Sequence, residues 1–212
     1  MDTIKPAWRR LGKPVLMAVA AVGLASASYG ALQYWEINQR AEATGLAGLG
    51  LLTAQGERFD AAQLMGRPTA VFFGFTHCPD VCPMTLQRLA LMREKIGPEF
   101  DQLQVVFVTL DPARDTGRVL ADYMSVQPVA VLGLTGPESA IEAAVRNFGI
   151  FRERIAIPGQ GYTIDHTASL FLLDRSGQRA GEIGLTASEE EFEGKLRGVL
   201  TAASPNDGLA PG

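Results

Sequence analysis

Cysteine and histidine are almost absent from this chain: two of each in 212 residues. Two cysteines cannot build a disulfide framework. None is needed, because 47% hydrophobic residues in a chain of this size supply a full core. Runs of Lys and Arg are missing as well. Net charge is −4, and four of the 19 basic residues, Lys5, Arg9, Arg10 and Lys13, precede residue 14; setting them aside with Asp2 leaves 15 basic against 22 acidic residues. Nucleic-acid binding needs a basic face, which that remainder cannot form, so no nucleic-acid partner is expected. No internal repeat occurs, which excludes solenoids and propellers.

Charge is absent altogether from Pro14 to Trp35, a stretch of 22 residues. A helix of that length spans the hydrocarbon of a bilayer, and Tyr29, Tyr34 and Trp35 fall where an interfacial aromatic belt belongs. The basic residues ahead of it stay on the cytoplasmic side. Residues 1–13 therefore read as a basic cytoplasmic leader and 14–35 as a single transmembrane anchor in the inner (cytoplasmic) membrane, with the domain on the periplasmic or extracytoplasmic side. Two other readings compete: a signal peptide with Val15–Leu24 as its apolar core and Ala25-Ser26-Ala27 as its cleavage site, and a buried core helix. Anchor and signal both imply export, which places the cysteines in an oxidising compartment.

Residues 36–48 read as a spacer helix or linker, 49–202 as one domain, and the turn-rich 203–212 as a disordered tail. Within the domain, Leu49–Phe59 fits a short hairpin around Gly56. The apolar runs Thr69–Phe75 and Gln104–Leu110 fit strands buried on both faces, and Val129–Leu134 a third. Helical patterns cover Met84–Ile96, Thr116–Met124 and Pro137–Phe148. Ser169–Leu173, a turn at Asp174–Gly177 and Glu182–Gly184 form a hairpin, and a last helix runs from the N-cap Ser188 to Leu200. This order predicts an α/β fold, a mixed sheet flanked by helices, of which the thioredoxin-like fold is one form.

The chemistry gathers where the first long strand ends, at Phe75-Thr76-His77-Cys78-Pro79-Asp80-Val81-Cys82-Pro83. Functional groups collect at such strand ends, and the Cys-x-x-x-Cys spacing sets two sulfurs on one side of a turn. A helix starting there favours thiolates. The pair can chelate one ion or close a disulfide. His166, in a loop just before the strand at Ser169, is expected at the same sheet edge. Two sulfurs and one imidazole form a soft, three-coordinate set that suits copper, whereas a structural zinc site takes four closed ligands and the chain has no third cysteine. Adventitious zinc stays open. His77 points elsewhere as a neighbour of Cys78. Asp80 and Asp165 suit orienting or capping roles, Asp111 and Asp115 organise a loop, and Met84, Met92 and Met124 pack on helix faces.

The run FTHCPDVCP, the LDPARDT at 110–116 and the Asp165-His166-Thr167-Ala168 before an apolar strand resemble the Sco (SenC/PrrC) family over roughly residues 50–200. The resemblance implies a membrane-anchored, thioredoxin-like copper chaperone, with Cys78, Cys82 and His166 as its ligands. It implies as partners the copper-bearing subunit of cytochrome c oxidase and an upstream copper donor. The segment before the first long strand matches that family only loosely. A rival reading is an exported thiol–disulfide oxidoreductase with Cys78 and Cys82 as redox-active residues, acting on the cysteines of the oxidase copper site. Against it stand the three-residue spacing and the lack of a proline before Ser169, which ordinary thioredoxins carry. A peroxidase or redox sensor on the same fold is a third possibility.

Overall fold

A computed structural model describes residues 13–159 and 161–202. Residues 1–12 of the leader read at 1–13, and the tail at 203–212, lie outside the described residues. The chain divides into two compact units, residues 1–39 and 40–212.

Helix α1 runs from Lys13 to Ala43, so helix continues into the segment read as a linker. Val15 and every residue from Met17 to Gln39 are exposed, including Val19, Val22, Leu24, Tyr29 and Trp35. Among the described residues no helix is long and apolar enough to cross a membrane.

In the second unit the central strands are β2 (Thr69–Gly74) and β3 (Gln104–Thr109), whose side chains are buried almost throughout. They pair in parallel across α2 (Val81–Ile96). Strand β4 (Leu132–Thr135) follows α3 (Gly117–Ser125) and extends the parallel set; the two-residue β1 (Leu52–Thr53) closes that edge antiparallel. On the other side of β2 lie β7 (Ser169–Leu173) and β8 (Arg179–Gly184), both antiparallel to their neighbours, giving the order β1-β4-β3-β2-β7-β8. A mixed sheet results, as expected.

Successive strand side chains point to opposite faces, so β2 feeds two cores. Phe73 packs with Phe148 and Phe171 at ring distances of 5.0 and 6.0 Å, on the side of α4 (Glu138–Phe148). Phe72 meets Phe107 at 5.7 Å, on the side covered by α2, α3 and α5 (Glu189–Thr201). Ser188 caps α5 as its sequence promised, its hydroxyl accepting from the Glu191 N–H at 3.1 Å.

Several elements differ from the sequence reading, among them β8, which begins at Arg179 rather than Glu182. Helix α2 begins at Val81 rather than Met84, which draws Cys82 and Pro83 into its first turn. Strand β4 begins at Leu132 rather than Val129. Residues 152–166, for which no strand was expected, form a hairpin of β5 (Arg152–Ile157) and β6 (Gly161–His166) that pairs only with itself. His166 is therefore the last residue of a strand, not part of a loop.

Candidate metal centre

Strand β2 ends on Gly74 because nothing larger fits. A Cβ there would stand 2.7 Å from the Cys82 sulfur and 3.0 Å from the Phe107 ring. The chain then turns at once: the Cys78 N–H donates to the Phe75 carbonyl at 3.1 Å, and α2 starts three residues later. Pro83 is tolerated so near the helix start because first-turn N–H groups have no partner inside the helix. This geometry buries Cys82 completely and leaves Cys78 half-buried above it; both are free thiols.

The two sulfurs do not share their acidity equally. The Cys82 thiol beside it and the backbone N–H groups of Cys82, Asp80 and Val81 pull Cys78 down to about 5, against the opposing effect of burial. Cys82 moves the other way, pushed up by its contact with Cys78, by burial and by the Cys78 charge. The pair therefore holds one proton on the buried sulfur and one negative charge on the accessible one.

Asp115 fixes the approach to the cysteines. Fully buried, it accepts from the Thr76 N–H at 2.9 Å, the Thr76 hydroxyl at 2.6 Å and the Thr109 hydroxyl at 2.6 Å. It thus ties the cysteine turn to the end of β3, which goes beyond the loop-organising role read for it. His77 is drawn toward the same carboxylate, with Nδ1 3.8 Å from Asp115 Oδ1 and a side chain half in solvent. Asp80 occupies the N-cap position of α2 without making a side-chain cap, and Asp165 is exposed on β6 opposite Glu153, so neither takes a capping role. Met92 is buried and Met124 packs against the core as expected; Met84 is exposed instead.

His166 reaches the cysteine turn through one ring. Its imidazole meets Phe75 edge to face at 6.0 Å, and Phe75 is the residue whose carbonyl holds Cys78. The position follows from topology: β7 begins just after His166, and Leu170 of β7 pairs with Phe72 of β2, so both segments reach the same end of the sheet. The Nδ1–H donates to the Thr167 carbonyl at 2.9 Å, which fixes the tautomer and leaves a lone pair on Nε2. Yet among the described residues no three His, Cys, Asp or Glu side chains lie close enough together to hold a metal ion. The sulfurs are paired, and the imidazole lies across the Phe75 ring from their turn.

The SCO1/SenC family model matches residues 40–201. The chain belongs to the SCO1/SenC family. Among relatives, it is 32% identical over 155 residues to the mitochondrial protein SCO2 of Saccharomyces cerevisiae, covering 72% of this chain and 52% of that one. The chain thus spans about half the length of this yeast relative. Among solved structures, copper-bound ScoI of Bradyrhizobium japonicum is 31% identical with a TM-score of 0.63, covering 70% of this chain and 95% of that one. Copper-bound yeast Sco1 is 30% identical with a TM-score of 0.65, covering 76% and 91%.

Gly74 was not singled out from sequence, although a glycine inside an apolar strand run signals close approach of another group. Arg114 stands in the LDPARDT run, but nothing in the sequence showed that it meets Tyr162 and ties β6 to the rest of the domain.

Proposed function

We propose that this SCO1/SenC chain binds one copper ion through Cys78, Cys82 and His166 and delivers it to the copper centre of cytochrome c oxidase during assembly. The observation that carries the reading is the pair of unequal sulfurs at the end of β2, with an imidazole of fixed tautomer one ring away. A pre-formed thiolate receives the cation, and the Cys82 proton leaves as the second sulfur binds. His166 completes the soft donor set by closing the remaining distance. A ligand that arrives last can also leave first, which suits a carrier that must surrender its cargo. The copper in the structures of ScoI from B. japonicum and of yeast Sco1 supports the choice of metal. The upstream copper donor and the copper-bearing oxidase subunit are the partners this reading requires.

Anaerobic copper titration of the reduced protein tests it. Binding should saturate at one ion per chain with a thiolate-to-copper charge-transfer band. His166→Ala should weaken retention by at least about tenfold and leave the fold intact. Unchanged retention and unchanged transfer in that variant overturn the assignment.

A second reading rests on the same sulfurs. An accessible, low-pKa Cys78 beside a buried Cys82 is also the arrangement of a dithiol reductant. The Cys78 thiolate would attack a disulfide of the partner, releasing one partner thiolate and forming a mixed disulfide. Cys82, losing its proton, would then attack Cys78 and release the second partner thiol, leaving a Cys78–Cys82 disulfide. Turnover with a dithiol donor that survives His166→Ala favours this reading.

We further propose that the uncharged turns of α1 hold the domain at the outer face of the inner membrane. The support is the uncharged stretch from Pro14 to Trp35 and the exposed Val19, Val22, Leu24, Tyr29 and Trp35 along it.

A further inference from the structure

Among the described residues the hairpin that carries His166 has no strand neighbour in the main sheet, so side-chain contacts help to fix its position. On the β5 side the hold is Glu138, which accepts from Arg152 Nη1 at 2.6 Å and Arg154 Nη2 at 3.5 Å. The β6 side, which ends in the imidazole, is held in part by an arginine from the loop between β3 and α3, with Arg154 lying farther off at 5.3 Å from the Tyr162 ring. Arg114 Nε–H donates to the fully buried Asp111 carboxylate, and its Nη1–H donates to the Tyr162 carbonyl at 2.9 Å. The guanidinium also lies 3.9 Å from the centre of the Tyr162 ring, whose hydroxyl returns to Asp111 at 2.7 Å. Three residues thereby close a ring of contacts.

Two further placements link that ring to the metal centre. Tyr162, Ile164 and His166 alternate along β6 and share one face, with Ile164 buried between the other two. Phe75 stands 5.9 Å from the Arg114 guanidinium and 6.0 Å from the His166 ring, so the cysteine turn meets both ends of the strand.

We infer that Arg114 is a positioning residue for His166. Through Asp111 and Tyr162 it pins β6 and so sets where the imidazole rests relative to Cys78 and Cys82. The inference rests on reading His166 as a ligand. Arg suits the task where Lys does not, because a fork of N–H groups on a flat cation can hold a carboxylate and a carbonyl while stacking on a ring.

Hydrogen exchange of the metal-free, reduced protein tests the clamp without copper. In Arg114→Met, exchange of the amides from Tyr162 to His166 should quicken by about tenfold or more while β3 core amides keep their rates. Copper release should also quicken by about tenfold in an otherwise native chain and stay unchanged when Arg114→Met is added to His166→Ala. Tyr162→Phe removes only the hydroxyl contact and should move both readouts the same way by less; it decides the matter if Arg114→Met does not fold. Native exchange rates in β6 overturn the inference, as does equal acceleration of release with and without His166. If His166→Ala by itself leaves copper retention unchanged, the metal reading fails, and the exchange rates still report whether the clamp exists.

Discussion

One proton divided unequally between two sulfurs sets the chemistry at the residue scale. Cys78 titrates at about 5 because the Cys82 thiol and three backbone N–H groups favour its thiolate over its thiol, despite burial. Cys82 keeps its proton because the same contact, burial and the neighbouring charge all oppose a second negative charge. The direction follows for an acid with a lowered pKa: the Cys78 thiolate persists above pH 5 and is lost as pH falls through that value. Thiolate absorbance of the metal-free reduced protein should therefore show one step near pH 5 and no further step up to pH 9.0, the ordinary thiol value. Alkylation at neutral pH should mark Cys78 and spare Cys82. A single step near the ordinary thiol value, or equal labelling of both cysteines, contradicts this picture.

At the scale of elements, the site exists because β2 stops where α2 starts. Gly74 lets the first turn of the helix bring the Cys82 sulfur against the strand end and Phe107. Gly74→Ala should force the sulfur or the ring to shift, costing about 1–3 kcal/mol of stability and raising the solvent reactivity of Cys82. Chemical denaturation together with thiol labelling reads both effects; native stability with a still-protected Cys82 counts against the tight fit.

This joint was partly legible in the sequence. The apolar run Thr69–Phe75 announced a strand buried on both faces, the paired cysteines followed it directly, and Ser188 marked the start of α5. The start of α2 was hidden, because Pro83 reads as a break until its first-turn position is known. The β5–β6 hairpin was hidden for a different reason. Its strands, RERIAI and GYTIDH, pair only with each other and leave many side chains exposed, so charged and small residues replace the apolar run that betrays a core strand. His166 could be assigned to the sheet edge of the cysteines but not to the end of a strand. For Arg114 the hidden part was its hold on Tyr162, which lies far along the chain.

At the scale of the whole molecule, helix α1 adds the uncharged stretch from Pro14 to Trp35 to the domain. Exposed Val19, Val22, Leu24, Tyr29 and Trp35 along α1 have no packing partner that water would supply. Alkaline carbonate washing should leave the chain in the membrane fraction, and protease added from the outer side should degrade the domain. Release by carbonate, or protection from the protease, contradicts anchorage at the outer face. Under the proposed function, anchorage would let the carrier meet a membrane-bound acceptor by diffusion in a plane.

The central claim is a convergence: two sulfurs already together and one imidazole that must come to them. X-ray absorption at the copper edge of the loaded, reduced protein tests it most directly. The account predicts a three-coordinate copper with two sulfur neighbours and one imidazole nitrogen, the imidazole signal vanishing in His166→Ala. A copper bound by sulfur alone, with the same spectrum in that variant, would contradict it.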